Sequence, residues 1–515
     1  MKLSEWDPDK VTLILGPPGT GKTYQLMQLL SEALDQYAPT RIGFVAFTKK
    51  AATEAVTRAA EQFNLSSEDL IHFRTLHSFA FKMLGYSSKE IMGIADYIEI
   101  AKSLGLYISY RGIREEGSFE GQTKGDRLLF LTNLARLQQK SLDQIHSEWV
   151  LENLSIHELT LMDETIKAYK LEHGKKDFTD ILIDFIEMGF VPDFDILFID
   201  EAQDLAPIQW AMVSRLASKA GRVYIAGDDD QAIFKWAGAD VNQFLSLPVG
   251  NTVVLDQSYR VPSKIATCAN RVIGTVSNRY SKPWKPRLEQ GSAKWINDPN
   301  LLDMGSGSWL LLARNTYLLE TFTTMCLQRG LVYESPIGAP VPSELLNAIR
   351  LWERLRKGKV ITAVQAKAVY AYMSSKVGVA YGMKTVLENE NPETLVSLDT
   401  LQRSYGLLRN EIWHEALDRI HVEHREYLLA ALRRGENVDQ ARIRVSTIHT
   451  VKGGEADNVV LLCDMAARTY REYQENPDDE ARVWYVAITR ARQSLYVVHP
   501  RSPNHYPLDI ILRKR

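Results

Sequence analysis

The chain has few cysteines for its length. Cys268, Cys326 and Cys463 are three among 515 residues, they lie far apart, and no Cys-x-x-Cys pair or Cys/His cluster occurs. The sequence therefore indicates neither a disulfide framework nor a zinc site. This pattern is typical of free thiols, buried or without a functional role, in a reducing compartment.

Long apolar runs and a targeting segment are also lacking. No run approaches the roughly 18 to 20 apolar residues that a membrane-spanning helix needs. The N-terminus, MKLSEWDPDK, is polar and reaches a strand at once, without the pattern of a signal peptide. We therefore expect a cytoplasmic protein, in a bacterial cell or, if it is phage-encoded, in the host cytoplasm.

An excess of either charge is lacking too. Basic and acidic residues number 61 and 64, the formal net charge is -3, and 45% of the residues are hydrophobic. This is globular composition, and the length suggests about three or four domains. Since no global basic field points to nucleic acid, a surface that binds it would have to be local.

A phosphate-binding loop is the strongest motif present. The stretch VTLILGPPGTGKT begins with an apolar run, Val11 to Leu15, that predicts a buried parallel strand. The loop glycines would turn backbone N–H groups toward phosphates, and the following helix adds its positive end. Lys22 would reach the β- and γ-phosphates, and the Thr23 hydroxyl would bind Mg²⁺. The loop residues expected to bind the nucleotide are Gly16, Gly19, Thr20, Gly21, Lys22 and Thr23.

A carboxylate pair follows a second apolar strand, in FDILFIDEAQD. Asp200 stands at the predicted carboxyl end of a parallel strand, where doubly wound sheets place their ligands. It would hold Mg²⁺ together with Thr23. Glu201 could orient or deprotonate the attacking water. The two motifs together favour hydrolysis of a nucleoside triphosphate.

The order of further motifs resembles a known family, the superfamily 1A DNA helicases of the UvrD/PcrA/Rep-like group. The resemblance extends from residue 11 to about residue 499. Its motifs are GPPGTGKT, FVAFTKKAATEA, RTLHSFAF, DEAQD, GDDDQAIFKWAGAD, LDQSYRVP, VSTIHTVKGGEADNVVLL and VWYVAITRAR.

The resemblance implies an α/β fold with two RecA-like P-loop NTPase domains, each a parallel sheet that carries a mainly helical insertion. Apolar runs independently predict strands at 42–47, 196–199, 223–226, 253–255, 309–313, 444–448, 459–463 and 495–498. Residues 277–300, rich in Pro and Lys, favour a loop or linker. The resemblance implies four domains. The RecA-like domains are 1A, residues 1–86 with 189–255, and 2A, residues 256–342 with 441–515. The helical insertions are 1B, residues 87–188, and 2B, residues 343–440, which is short for the family.

The resemblance also implies catalytic and nucleotide contacts. Arg260 and Arg490 would meet the γ-phosphate, where charge develops during hydrolysis. Tyr259 would stack on the adenine, Glu455 would contact the ribose, and Gln231 would sense the γ-phosphate and position water. The expected catalytic residues are Lys22, Asp200, Glu201, Gln231, Arg260 and Arg490, with ATP and Mg²⁺ as cofactors.

Single strands are held by phosphate contacts and by bases stacked on aromatic faces. Residues in the family's DNA motifs are therefore candidates for DNA binding. They are Phe47, Thr48, Thr75, His77, Phe234, Trp236, Thr447, His449 and Lys452. In the loop 227–240, Asp228, Asp230 and Gln231 are expected to face the nucleotide, and Asp229 to be a solvated neighbour.

Three further observations qualify the resemblance. The glutamine motif that often precedes the P-loop by some 20 residues is missing, so other nucleoside triphosphates than ATP are open as substrates. Close relatives commonly have arginine at Ala237, and Lys235 could compensate in part. Asp177 and Asp180 fit an ordinary helix cap, at the N-cap and the third helical residue.

Three functions remain open. The first is an ATP-dependent single-stranded DNA translocase and helicase, 3′ to 5′ by family analogy, monomeric, acting on single strands and single-strand/duplex junctions with replication or repair partners. The second is a DNA-stimulated ATPase that remodels protein–DNA complexes without processive unwinding. The third is a nucleic-acid-binding scaffold with a nucleotide switch and negligible turnover.

Overall fold

A computed structural model of the chain describes residues 6–66, 68–109, 123–149 and 154–508. Residues 1–5, on which the expectation about a targeting segment rests in part, lie outside these ranges. The last residues of the expected domain 2A, 509–515, also lie outside them. Within the described residues, no helix is both long enough and apolar enough to cross a bilayer.

The strands and helices are numbered in chain order. The strands are β1 Val11–Leu15, β2 Ile42–Ala46, β3 Phe73–Thr75, β4 Ile196–Asp200, β5 Arg222–Gly227, β6 Asn251–Val254, β7 Gln257–Pro262, β8 Lys285–Arg287, β9 Ser292–Ile296, β10 Trp309–Ala313, β11 Tyr333–Glu334, β12 Ile361–Thr362, β13 Leu395–Val396, β14 Ile443–Thr447, β15 Ala456–Leu462 and β16 Ala491–Val498. The α-helices are α1 Lys22–Leu34, α2 Lys49–Phe63, α3 Leu76–Leu84, α4 Ile94–Ser103, α5 Lys124–Gln138, α6 Leu142–Glu148, α7 Ile156–His173, α8 Phe178–Met188, α9 Pro207–Ala217, α10 Val241–Leu245, α11 Ser263–Ile273, α12 Glu320–Arg329, α13 Ser343–Arg356, α14 Ala363–Tyr370, α15 Met383–Glu388, α16 Leu398–Ser404, α17 Trp413–Ala416, α18 Val422–Arg433, α19 Ala467–Glu475 and α20 Pro477–Ile488.

The first sheet has six parallel strands in the order β3-β2-β4-β5-β1-β6. Its central strands β2 and β4 are buried at every residue, because helices cover both faces and form a core on each side. This is why these strands read as continuous apolar runs. The predicted strands at 42–47, 196–199, 223–226 and 253–255 are confirmed within a few residues.

The second sheet also has six parallel strands, in the order β11-β14-β10-β15-β16-β9. It too has a buried core on each face. The reading of residues 277–300 as a loop or linker was wrong in part, because β8 and β9 lie there. β9 pairs with β16 at the edge of the sheet, and its half-exposed residues lack the apolar run of a central strand.

A mainly helical insertion interrupts each sheet, as predicted. The first contains α4 to α8, and the second contains α13 to α18 with one antiparallel strand pair, β12 and β13. Each insertion has a hydrophobic core of its own. Helix α8 instead packs on α3 and α9 and adds Ile181, Leu182 and Phe185 to the core of the first sheet.

The predicted cap of α8 is confirmed. The Asp177 carboxylate accepts a hydrogen bond from the Asp180 backbone N–H at 2.8 Å, and the Asp180 carboxylate accepts one from the Asp177 N–H at 2.8 Å. Arg136 and Lys170 form ion pairs with both carboxylates. These contacts explain both aspartates by helix capping and ion pairing.

Candidate nucleotide and nucleic-acid site

The P-loop connects β1 to α1 at the carboxyl edge of the first sheet. Gly19 and Gly21 have φ values of 77° and 85°, which other residues adopt with strain. A Cβ atom on Gly19 would come 2.4 Å from Cβ of Arg260, so the loop also needs glycine for close approach. The Lys22 ammonium donates a hydrogen bond to the Gly16 carbonyl at 2.6 Å. The loop therefore has the turned backbone, the helix start and the lysine that a phosphate group requires.

Asp200 lies at the end of β4, beside the start of α1. The Thr23 hydroxyl donates to an Asp200 carboxylate oxygen at 3.4 Å. Burial, and after it the charge of Glu201, raise the pKa of Asp200 to about 7. A hydroxyl and a carboxylate are hard oxygen ligands, which Mg²⁺ prefers together with water and phosphate. The pair fits a magnesium ion, which would also relieve the cost of the buried carboxylate.

Glu201 directly follows Asp200 in a left-handed backbone conformation with φ of 53°. The Gln203 amide donates to its carboxylate at 2.5 Å. Burial would raise the pKa of Glu201, but the charges of Lys452 and Lys22 outweigh it, and the pKa is lowered. Glu201 is therefore ionised at neutral pH, the state that a general base needs.

Three aspartates of the loop 227–240 have cationic partners rather than open space around them. Asp228, Asp229 and Asp230 are all 0% exposed. The Lys282 ammonium lies 2.9, 2.5 and 2.9 Å from their carboxylates, and the Arg279 guanidinium donates twice to Asp230, at 2.7 and 2.5 Å. The expectation of a solvated Asp229 was wrong. Its partners come from residues 277–284, whose charges were interpreted as belonging to a loop.

Gln231 connects this cluster to the second sheet. Its amide N–H group donates to Asp228 at 2.6 Å, and its amide oxygen accepts from Arg490 at 3.1 Å. Arg490 is buried and also donates to the carbonyls of Val486 and Gly454. Gln231 and Arg490, from separate sheets, therefore meet directly.

The second arginine, Arg260, forms an ion pair with Glu455. Arg492 donates to the same carboxylate at 3.1 Å. The arginine expected at the γ-phosphate and the glutamate expected at the ribose are thus neighbours. Arg260 precedes Val261 of the second-sheet core and faces the P-loop at Gly19, and Glu455 directly precedes β15 of the second sheet.

Strand β7 touches the P-loop through its backbone. The Tyr259 N–H donates to the Gly19 carbonyl at 2.8 Å, and the Ser258 hydroxyl donates to the Pro18 carbonyl at 2.9 Å. The Tyr259 side chain is 75% exposed. Tyr24, two residues after Lys22, is 61% exposed and accepts a hydrogen bond from Gln28 at 3.0 Å. Tyr24 could not be predicted as a site residue from the sequence, because the P-loop pattern ends at Thr23.

Four rings form what we call the aromatic surface: Phe47, Phe234, Trp236 and His449. Ring centroids are 5.6 Å apart for Phe47 and Phe234, 6.1 Å for Phe234 and Trp236, and 5.9 Å for Trp236 and His449. Burial lowers the pKa of His449, so the ring is neutral, and its buried Nε2 atom has no hydrogen-bond partner among the residues that the structure describes. The surface therefore has partly exposed π-faces, which suit a stacked base.

The remaining candidates for DNA binding are distributed around this surface. The hydroxyls of Thr48 and Thr75 cap α2 and α3 by accepting from backbone N–H groups at 3.2 and 3.3 Å. The His77 ring packs edge-on against Phe178 with centroids 6.1 Å apart, and burial lowers its pKa to about 4. The Thr447 hydroxyl shares a hydrogen bond with Thr450 at 2.9 Å.

Two lysines of the same motifs have protein partners. Lys452 forms an ion pair with Asp204, donates to the Gln231 carbonyl at 2.6 Å and lies 5.0 Å from the centre of the Phe234 ring. Its ammonium is therefore between the nucleotide side and the aromatic surface. Lys235, suggested as a partial substitute for an arginine at position 237, pairs with Asp479 at 2.5 Å instead.

Two family models match the chain. Residues 4–249 match the UvrD/REP helicase N-terminal domain, and residues 384–502 match the UvrD-like helicase C-terminal domain. The chain belongs to the UvrD/PcrA/Rep-like family. The match agrees with the two parallel sheets and with the motif order from which the resemblance was inferred.

Relatives in this family differ in how much of their length is matched. The ATP-dependent DNA helicase PcrA of Staphylococcus aureus is 27% identical over 294 residues, which are 52% of this chain and 39% of that protein. PcrA of Bacillus subtilis is 26% identical, over 53% of this chain and 39% of its own length. A probable DNA helicase II homolog of Rickettsia conorii is 23% identical over 95% of this chain and 90% of its own length.

Solved structures give a weaker likeness. Arterivirus nonstructural protein 10, described as a helicase in complex with DNA, is 11% identical with a TM-score of 0.34, over 98% of this chain and 63% of that chain. A likeness at this level carries no argument about this UvrD-like chain.

Proposed function

We propose that the chain is an ATP-dependent, Mg²⁺-requiring translocase on single-stranded DNA and a DNA helicase that moves 3′ to 5′. The observation that carries the proposal is the loop 227–240. At one end Gln231 is bonded to Arg490 across the cleft, and at the other Phe234 and Trp236 belong to the aromatic surface. One short loop therefore connects a nucleotide site to a stacking surface.

The ATP phosphates would lie in the P-loop, with Lys22 turning from the Gly16 carbonyl to the β- and γ-phosphates. Thr23 and Asp200 would hold Mg²⁺, which neutralises phosphate charge during phosphoryl transfer. Tyr259, exposed beside the loop, would stack on the base, and Glu455 would contact the ribose.

Glu201 would orient and deprotonate the attacking water, since it is ionised and follows the proposed metal ligand. Arg260 and Arg490 would stabilise charge on the γ-phosphate oxygens, and Gln231 would position water beside them. Because the arginines come from the second-sheet side and the P-loop from the first, ATP would draw the two sides together. Hydrolysis would release them, which converts chemistry into motion.

We take the two sheets as motor domains 1A and 2A and the helical insertions as 1B and 2B. Single-stranded DNA would cross the aromatic surface, with bases stacked on Trp236, Phe234, Phe47 and His449. Further contacts to the strand would come from Thr48, Thr75, His77, Thr447 and Lys452. Lys452 would bind a DNA phosphate in place of Asp204 and the Gln231 carbonyl.

The test is strand displacement on duplexes with a 3′ tail, a 5′ tail or no tail, with ATP and Mg²⁺. We expect displacement only with the 3′ tail. Displacement only from a 5′ tail would contradict the polarity. Lys22→Ala, which removes the phosphate-binding ammonium, serves as the inactive control.

A second function is favoured by two observations, and it is a DNA-stimulated ATPase that remodels protein–DNA complexes. Position 237 lacks the arginine of close relatives, and Lys235 is engaged with Asp479. The second insertion is also short for the family. ATPase stimulation by single strands, with no displacement on any tailed duplex, would favour this function over the first.

A further inference from the structure

Residues 277–284, which we call the bridging segment, connect the cores of the two sheets. Tyr280 packs against the first-sheet core, with its ring edge-on to Phe244 at 6.2 Å. Trp284 packs against the second-sheet core, edge-on to Tyr485 at 5.9 Å. The segment is therefore anchored on both sides of the nucleotide cleft, and Lys282 lies between the two anchors.

Lys282 has its ammonium buried among carboxylates. Its side chain is 1% exposed, and its Nζ atom lies 2.9 Å from Asp228, 2.5 Å from Asp229 and 2.9 Å from Asp230. Burial alone would lower the pKa of Lys282, but the carboxylates raise it, so the ammonium stays charged. Removing one partner from such a cluster leaves buried charge without compensation.

The cluster leads directly to Gln231. Lys282 contacts the Oδ1 atom of Asp228, which leaves Oδ2 to accept from the Gln231 amide at 2.6 Å. With its N–H group directed to Asp228, the amide must present its oxygen to Arg490, as observed at 3.1 Å. The charge on Lys282 thereby holds the carboxylate that selects this orientation of the amide.

We propose that Lys282 is a positioning residue for the ATPase reaction, acting through Asp228 to orient Gln231 toward Arg490. The inference rests on the function proposed above. It adds a role in ATP hydrolysis for the bridging segment, which lies outside the motifs that carry the family resemblance. A shift of either sheet would move the bridging segment and hence the amide. Lys282 itself is in contact with carboxylates of the protein, not with the proposed nucleotide.

A double-mutant cycle with Lys282→Met and Gln231→Ala tests this, with the DNA-stimulated ATPase of the full chain as readout. We expect Lys282→Met to lower kcat about tenfold while KM for ATP changes less than about threefold. In the Gln231→Ala background, the same change should alter kcat by less than about twofold. Lys285→Met is the matched control, since this lysine is on the same stretch, 66% exposed and paired with Asp256.

Effects that multiply in the double variant, or no effect of Gln231→Ala alone, would overturn the inference. If Lys282→Met does not fold, Lys282→Gln, which retains a donor at the buried position, enters the same cycle with the same criteria. Absence of DNA-stimulated turnover in the unmodified chain would overturn the proposed function and this inference with it. If the unmodified chain shows DNA-stimulated turnover but the effects of Lys282→Met and Gln231→Ala multiply in the double variant, the inference is overturned and the proposed function is not.

Discussion

The two ends of the loop 227–240 differ in how they are held. Asp228 to Asp230 are 0% exposed, and the buried ammonium of Lys282 lies 2.5 to 2.9 Å from all three carboxylates. Phe234 and Trp236, a few residues on, are only partly buried and held by ring contacts near 6 Å. The first end has directional, charged contacts, and the second has broad apolar faces without directional constraint.

This difference fits the two roles proposed for the loop, in nucleotide chemistry at one end and in DNA binding at the other. Charged hydrogen bonds fix atoms to within tenths of an ångström, as a reacting phosphate requires. Stacking faces accept any base, as movement along a strand of mixed sequence requires. Substitutions at the nucleotide end should therefore act on chemistry, and those at the aromatic end on DNA coupling.

The largest effect is expected next to the charged end. Glu201→Gln should keep ATP binding but lower DNA-stimulated turnover by about 100-fold or more, because the amide cannot accept the proton. Steady-state hydrolysis and binding of a fluorescent nucleotide measure the two properties. Turnover at the unmodified rate would reject the role of Glu201.

At the aromatic end, Trp236→Ala should weaken binding of single-stranded DNA about tenfold, since one base stack is lost. The DNA-stimulated rate should fall more than the basal rate. Tyr381→Ala, which removes a ring 82% exposed on the second insertion, is the control. Equal loss of basal and stimulated hydrolysis would contradict the proposed role of the indole in DNA binding.

The raised pKa of Asp200, the proposed metal ligand, predicts how the stability of the protein depends on pH. Since its pKa is raised to about 7, the folded state keeps a proton that the unfolded chain loses above about pH 4, and stability falls as pH rises toward 7. In EDTA, Asp200→Asn should therefore become more stable than the unmodified chain as pH rises, by on the order of 2 kcal/mol.

Thermal melts at pH 5 and pH 8 measure this difference. Asp195→Asn is a control of opposite sign, because the hydrogen bonds from Arg41 lower the pKa of Asp195. Its loss of stability should be present at pH 8 and vanish as pH falls. The same pH dependence in both variants would contradict the assignment to Asp200.

The smallest effect is expected at Ala237, directly after Trp236 at the aromatic end. Ala237→Arg should raise duplex unwinding a few-fold without changing basal hydrolysis, because a cation is added beside Trp236 while Lys235 stays with Asp479. Displacement from a 3′-tailed duplex measures it. A lower unwinding rate with tighter DNA binding would show that the alanine is favourable here.

Much of the fold could be predicted from the sequence because its central strands are buried on both faces. β2 and β4 have no exposed residue, so their apolar runs stand out. β9 is an edge strand with half-exposed residues and could not be distinguished from a loop. The P-loop and the DEAQD motif were identified because the chemistry fixes their residues at short spacing.

The cations of the charged end could not be predicted in the same way. Arg279 and Lys282 meet Asp230 and Asp229 across 49 and 53 residues of chain. The sequence around Lys282, NRYSK, does not indicate that the lysine is buried, because polar residues of this kind also surround exposed lysines. Its position follows only from the packing of the two sheets around the bridging segment.

Coupling between the two ends of the loop is the central claim. The most direct measurement is steady-state ATP hydrolysis without nucleic acid, with single-stranded DNA and with single-stranded RNA, for the unmodified chain and for Trp236→Ala. The account predicts that single-stranded DNA raises the unmodified rate at least about tenfold and that the substitution removes most of this increase. A hydrolysis rate that is the same with and without DNA would contradict it.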